Sequence, residues 1–379
     1  MGDVYIVGID MVKFSKTAGV GPEVLGAEAA LNALEEAQVT IRDIDTLYAG
    51  SVFSMNIAQR VQKQLGQTGI PTASVSNACA TGATAFREAM FSVKAGAAKI
   101  ALAVGCEVMP RGLLGGAGDS EGITTEGLMG SATMPAVFGE AGQEHAAKYG
   151  TTFAQFAKVS VKNHHHSTMN PKSIYQKETP LEEVMQSEMI AYPITKLMCS
   201  VNVDGAAAAV VMGEEEVKRR GLMDRAVRVR ASALATDPFQ TRNPMMHDVN
   251  SVTQLAAKWA YEQSGLGPED LDLVELHDCF ATAELLHYEN LGLCGPGEAG
   301  RMIDDGETAL GGRIPVNVSG GLLSKGHPIA ATGLANLYEL SCHLRGTAGA
   351  RQVSGARIGL AHVVGLGTVS AVHILEKAN

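Results

Sequence analysis

Two segments of the chain repeat one another at a fixed distance. Residues 33–49 read ALEEAQVTIRDIDTLYA and residues 260–276 read AYEQSGLGPEDLDLVEL, aligned without a gap, so that Asp43 corresponds to Asp270. Each reads as the end of an amphipathic helix, a short loop with an acidic Asp-Ile-Asp or Asp-Leu-Asp, and an apolar strand. Further echoes follow. SVSNACATGATAFREAM at 74–90 runs from a strand into a small-residue helix, as does the stretch from PVNVSGG to GLANLYEL at 315–340. KIALAVGCEVM at 99–109 matches RIGLAHVVGLG at 357–367, and each half closes on a strand, at 204–216 and 368–377. A chain built this way folds as two similar α/β halves packed face to face around deeply buried, mixed strands. The first half carries an insert of about ninety residues at 112–203, Gly- and Met-rich early, then helical and charged. An insert of this length reads as a lid or binding loop, with elaboration of a dimer surface as the plainer alternative.

Composition fits a buried, duplicated core. The 379 residues include 43 Gly, only 18% charged residues and one Trp. The net charge of −10 has the wrong sign for a general nucleic-acid binder. Six Cys are scattered without a C-x-x-C pair, which predicts reduced thiols and a cytoplasmic setting. The start MGDVYIVGID lacks the basic region of a secretory signal. Residues 358–375 contain no Asp, Glu, Lys or Arg, the minimum length for a membrane span. Their Gly, His and β-branched content predicts instead two buried strands joined by a turn.

Three motifs fall where strands end, the usual place for ligands in α/β sheets. Cys79, in Ser76-Asn77-Ala78-Cys79-Ala80-Thr81-Gly82, follows a strand and opens a helix, whose dipole would favour a thiolate. A buried, inert small residue is the alternative. His327, in Ser324-Lys325-Gly326-His327-Pro328, precedes a proline suited to the first helical position. That predicts a neutral imidazole at a helix N-terminus, able to act as a base. His277-Asp278-Cys279-Phe280 follows the strand LDLVEL and offers a donor and a proton-transfer group together. A metal reading finds no further ligands at suitable spacing nearby. His164-His165-His166, in a polar run of the insert, reads as a solvated loop, and EEEVKRRG at 214–221 as a solvated helix face.

Together, the N-x-C-A-T-G, H-D-C-F and S-G-G…G-H-P blocks and the duplicated halves resemble the thiolase family over nearly the whole chain. The likeness is to its sterol carrier protein-2 and archaeal acetoacetyl-CoA branch. The resemblance implies a five-layered αβαβα fold, a homodimer or dimer of dimers, and no tightly bound cofactor. Coenzyme A and acyl-CoA thioesters are the implied substrates of a ping-pong Claisen or retro-Claisen reaction. It implies N-terminal (1–111 with 204–232) and C-terminal (233–379) halves, with 112–203 covering substrate and contributing dimer contacts. By analogy Cys79 is acylated, His327 takes its proton and helps hold the thioester enolate, and His277 stands where larger thiolases carry Asn. Cys279 would be the acid/base, and the backbone N–H groups of Cys79 and Val364 a second oxyanion hole. The sequence departs from the pattern at Ala361-His362-Val363-Val364-Gly365, which lacks a C-x-G cysteine, at Val363 in place of a frequent Asn, and at Ala330 in place of Gly. Lys162, Lys196, Lys218 and Arg219 are candidate phosphate contacts only by the composition of their segments. A retro-aldolase on the same fold, and a noncatalytic acyl-CoA-binding scaffold docking to another acyl-CoA enzyme, are the competing readings.

Overall fold

The computed structural model describes residues 2–110, 134–239, 248–365 and 369–378. The first half begins with β1 (Val4–Met11), α1 (Pro22–Glu36), β2 (Thr46–Gly50), α2 (Ile57–Leu65), β3 (Thr72–Val75), α3 (Thr81–Lys94) and β4 (Ile100–Glu107). The insert contributes α4 (Met134–Tyr149), α5 (Phe153–Thr168), α6 (Leu181–Gln186) and a hairpin of β5 (Met189–Ala191) and β6 (Ile194–Thr195). Strand β7 (Gly205–Gly213) and α7 (Glu214–Arg220) follow, then β8 (Val227–Thr236) and α8 (Ser251–Ser264). The remainder is β9 (Leu273–Glu275), α9 (Ala281–Asn290), α10 (Ala299–Asp304), α11 (Thr332–Arg345), β10 (Ile358–Gly365) and β11 (Val369–Lys377).

The repeated acidic loop does the same two jobs in each half. Asp43 and Asp270 each cap a single 3-10 turn, at Ile41–Asp43 and Pro268–Asp270, by accepting the N–H of Thr40 (2.9 Å) and Gly267 (2.8 Å). Asp45 and Asp272 each accept two N–H groups at the entry to the neighbouring parallel strand, β4 in the first half and β10 in the second, from Lys99 and Ile100 and from Arg357 and Ile358. The acidic residues are therefore fasteners that set strand register, and their repetition reflects a repeated structural task.

The strands line up in the order β3-β2-β4-β7-β1-β8-β11-β10-β9. In the first half β2 runs parallel to β3 and β4, and β7 runs antiparallel to β4 and β1. The second half mirrors this: β9 is parallel to β10, and β11 is antiparallel to β10 and β8. Val316 bridges Val274 in the place that β3 occupies in the first half. The halves meet where Tyr5 pairs with Arg228 and Ile6 with Val227. Strand β8 runs along β11 over its length, so its pairing assigns it to the C-terminal half, although the expected boundary divides it at 232/233. The apolar run at 358–375 is β10 and β11, paired antiparallel, and no helix among the described residues is long and apolar enough to cross a membrane.

Three large apolar cores among the described residues separate the layers. One lies under α1 and α2 in the first half and another joins α8, α9 and the insert to the second half. Between them α3 and α11 pack against one another, with Phe86, Met90, Leu334 and Leu337 contacting strands of both halves. The layering is thus helix, sheet, helix, sheet, helix, the arrangement of the thiolase fold. The central helices approach closely because glycine permits it. A Cβ on Gly82 or Gly105 would stand 2.4 or 2.2 Å from the Ala330 carbonyl oxygen, and one on Gly333 would stand 2.5 Å from the Ala83 nitrogen.

Candidate active site

Strands β2, β3 and β4 run parallel and end together, β9 and β10 do the same in the second half, and the reactive loops follow those ends. Cys79 sits on a turn two residues ahead of α3. Ala78 is left-handed (φ 47°), Ala80 donates to the Asn77 carbonyl at 2.9 Å, and Thr81 Oγ1 accepts the Asn77 N–H at 2.8 Å. Asn77 Nδ2 donates to Thr84 Oγ1 at 3.0 Å, so the two threonines of the A-T-G-A-T run hold the turn. The end of β10 closes on it: a Cβ on Gly365 would lie 2.6 Å from the Asn77 oxygen. This places Val364 one residue from that contact. Val363 belongs to the apolar cluster of Ala80 and Ala83 against which Cys79 packs.

His327 lies farther from a helix than Pro328 suggests. Helix α11 begins at Thr332, and residues 328–331 form a turn in which Ala331 and Thr332 donate to the Pro328 carbonyl. The reason is the crowding at Gly82 and Gly105, where the Ala330 carbonyl packs against backbone and the helix cannot yet begin. The histidine is oriented by a side chain instead. Thr332 Oγ1 donates to the Pro328 carbonyl (3.2 Å) and lies 2.7 Å from His327 Nδ1, so it accepts from Nδ1–H and leaves the Nε2 lone pair for the cleft. Burial, then the Lys325 cation, depress the His327 pKa to about 3, so the ring is neutral at physiological pH.

His277 stands edge-to-face with His327, ring centroids 5.2 Å apart. It is fully buried, neither ring nitrogen has a protein partner, and burial holds it neutral. His362, which no motif marks as functional, accepts the His277 backbone N–H at Nδ1 (3.4 Å). The Cys79 sulfur and one ring nitrogen each of His277 and His327 lie within 4.8 Å of one another. Cys279 is buried beside them. Burial pushes its thiol well above the ordinary range, with Cys79 and Asp278 adding to the effect, so it is a protonated thiol at neutral pH.

Buried acidic residues beside the reactive ones lock the loops together. Asp278 accepts the N–H groups of Leu322 (2.7 Å) and Leu323 (3.2 Å) and Asn163 Nδ2 (2.8 Å), wrapping the wide turn Gly321–Lys325 over the H-D-C-F loop. Gly321 is required there, because a Cβ would sit 2.1 Å from the Asp278 carboxylate. Glu275 accepts Ser319 Oγ (2.5 Å) and faces Lys325 Nζ at 3.5 Å, both charges buried. The signal for this pair was an acid within an otherwise apolar strand, because a buried charge needs a partner.

Other expectations are corrected. The His164–His166 run belongs to α5, not to a solvated loop, because residues from the 170s and 310s cover that helix. His164 is buried on Tyr175, and His166 donates from Nδ1 to the Asn317 carbonyl and accepts the Leu310 N–H at Nε2. Only His165 faces solvent, against Glu178. Lys162 is no phosphate contact: its Nζ is buried 2.7 Å from Glu284 and donates to the Val316 carbonyl. Lys218 and Arg219 pair with Glu214 and Glu216 on α7, as expected of a solvated face. That helix follows the Gly213 end of antiparallel β7, opposite the end that faces the site. Lys196 is exposed beside Glu188.

The family follows from comparison with known proteins. The thiolase N-terminal domain model matches residues 4–215, and the thiolase C-terminal domain-like model matches 238–377. Sterol carrier protein 2 of Rattus norvegicus is 41% identical over 97% of this chain and 71% of its own length. Acetyl-CoA acetyltransferase of Methanothermobacter thermautotrophicus is 37% identical over the full length of both. Among solved structures, an Ltp2-ChsH2(DUF35) aldolase superposes with a TM-score of 0.83 at 25% identity, covering 100% of this chain and 98% of that one. With two family domains spanning both halves and the three motif blocks meeting in one cleft, the chain belongs to the thiolase family.

Proposed function

We propose that the protein is a thiolase that cleaves 3-ketoacyl-CoA with coenzyme A, or runs the reverse Claisen condensation, through an acyl-enzyme on Cys79. The observation that supports this reading most is the convergence of Cys79, His277 and His327 within 4.8 Å, with the Cys279 thiol beside them. In the cleavage direction His327 Nε2 takes the Cys79 proton and the sulfur attacks the keto carbon of the substrate. The bond between the α-carbon and that carbonyl breaks, leaving an acyl-cysteine and the enolate of acetyl-CoA. Protonated His327 then presents Nε2–H to the enolate oxygen, with His277 as the second donor, and Cys279 delivers its proton to the α-carbon. Coenzyme A gives its thiol proton to the Cys279 thiolate and attacks the acyl-cysteine, and the released Cys79 sulfur recovers its proton from His327. Each donor to an anionic oxygen in such a site contributes about 3–4 kcal/mol. The N–H groups of Cys79 and Val364 serve the acyl carbonyl in this reading.

The insert covers the cleft in the same proposal. Its support is contact: Ile174 and Tyr175 donate to the Lys325 and Ser324 carbonyls, and Ser200 to that of Cys279. A homodimer or dimer of dimers is part of the reading, supported by the position of β3 at the sheet edge.

A second reading, a retro-aldolase working with a docked partner, is favoured by the aldolase among the structural neighbours. The test is turnover of acetoacetyl-CoA plus coenzyme A, followed as loss of the Mg²⁺-enolate absorbance, across several chain lengths. Loss with acetyl-CoA as product supports the thiolase; inertness toward every 3-ketoacyl-CoA, with cleavage of a 3-hydroxyacyl-CoA, supports the aldolase.

A further inference from the structure

The three groups that meet in the cleft also have the chemistry of a transition-metal site. They come from three distant segments, which is why spacing along the chain could not reveal it. Among the described residues no other trio of His, Cys, Asp or Glu comes together in this way. One soft thiolate and two imidazoles suit Zn²⁺ and its neighbours in the first transition row. His327 already has the supporting contact of a metal-bound histidine, Nδ1–H on Thr332 Oγ1, which aims Nε2 inward. Neither nitrogen of His277 has a protein partner, though the ring is fully buried. A tetrahedral Zn²⁺ with bonds of about 2.0–2.3 Å holds its ligands roughly 3.3–3.8 Å apart. Ligand atoms within 4.8 Å reach that spacing by side-chain shifts of about 1 Å.

We propose that Cys79, His277 and His327 form a reversible site for Zn²⁺ or a similar thiophilic divalent cation, with the fourth position open, and that the occupied form is an inhibited state. Binding exchanges one proton for the metal: the Cys79 S–H bond breaks, an S–Zn bond forms, the proton leaves to solvent, and nothing is oxidised. Only the inhibition depends on the proposed nucleophile; the binding rests on geometry alone. A cation held there draws charge from the Cys79 sulfur, occupies the Nε2 lone pair of His327 that would take its proton, and fills the space where the substrate carbonyl must approach, so metal binding opposes acylation.

The test uses Co²⁺ with the full chain. The expected result is one Co²⁺ per chain with tetrahedral visible bands and a near-ultraviolet thiolate-to-cobalt band, displaced by Zn²⁺ and abolished by EDTA. Cys79→Ser removes the thiolate band, and His277→Asn or His327→Asn weakens binding at least about tenfold. Cys294→Ser and Cys342→Ser, at the other half-buried thiols, retain it. Alkylating wild-type Cys79 with iodoacetamide removes the band without relying on a variant that must fold. No thiolate band at saturating Co²⁺, or one that survives Cys79→Ser or alkylation, overturns the site. Binding without thiolysis refutes the proposed function and leaves the site standing; thiolysis without binding refutes the site alone.

Discussion

Mild acid should destabilise this protein, and the cause is its buried histidines. His164, His166, His277, His287, His327, His362 and His373 are all buried and depressed, chiefly by burial: to about 4 for His164 and about 3 for His166, His287, His327 and His373, with His277 and His362 also well below the usual range. In the unfolded chain each takes a proton near pH ~6.5. A depressed histidine contributes stability that is complete above that value and is lost as the pH falls toward its folded pKa. At about pH 5.5 each costs about 1.4 kcal/mol, so seven give a gross loss on the order of 10 kcal/mol relative to about pH 7.5. Three carboxyls oppose this: burial raises Glu107, Glu275 and Asp278, so the folded chain binds their protons first. The net loss expected is several kcal/mol, a large share of the roughly 5–15 kcal/mol that holds a domain together. Urea denaturation at the two pH values measures it. The account expects the midpoint to fall steeply on acidification, with net proton uptake on unfolding. An unchanged midpoint, or a pH slope of zero, would refute the claim that these rings are neutral in the fold.

Thr332→Val keeps the shape of the side chain but leaves His327 Nδ1–H without an acceptor, and should lower kcat/KM about 10- to 100-fold while costing about 1–3 kcal/mol of stability. Equal kcat/KM in this variant would show that the hydrogen bond does not orient the base. Lys162→Met strands the buried Glu284 carboxylate and should cost about 3–5 kcal/mol in a denaturation curve, whereas Lys218→Met, at an exposed pair, should change it by less than about 1 kcal/mol. Gly82→Ala sets a methyl group against the Ala330 carbonyl and should destabilise by about 1–3 kcal/mol. Because Ala330 lies in the turn between His327 and Thr332, activity should fall with it, and a variant as stable and active as the parent would contradict the packing described.

The duplication was legible because it is written twice, in the same register. The 3-10 turns at Ile41–Asp43 and Pro268–Asp270 keep the sequence offset, and Asp45 and Asp272 fasten equivalent strands. The meeting of Cys79 and His277 was legible because each follows a strand. What failed were inferences from local polarity and local helix rules. His164 and His166 read as solvated because covering segments distant in sequence cannot be seen from a polar run. Lys162 looked like an available cation, and only the fold shows Glu284 against it. Pro328 looked like a helix start, but close packing at two distant glycines delays α11 by a turn. His362 carried no signal, because its contribution is a contact with the backbone of His277.

Intact-mass spectrometry after incubation with acetyl-CoA tests the central claim most directly. The account predicts one acetyl group per chain, located on the peptide that holds Cys79, absent from Cys79→Ser and discharged by adding coenzyme A. A protein that turns over its substrate with Cys79 never acylated would contradict it.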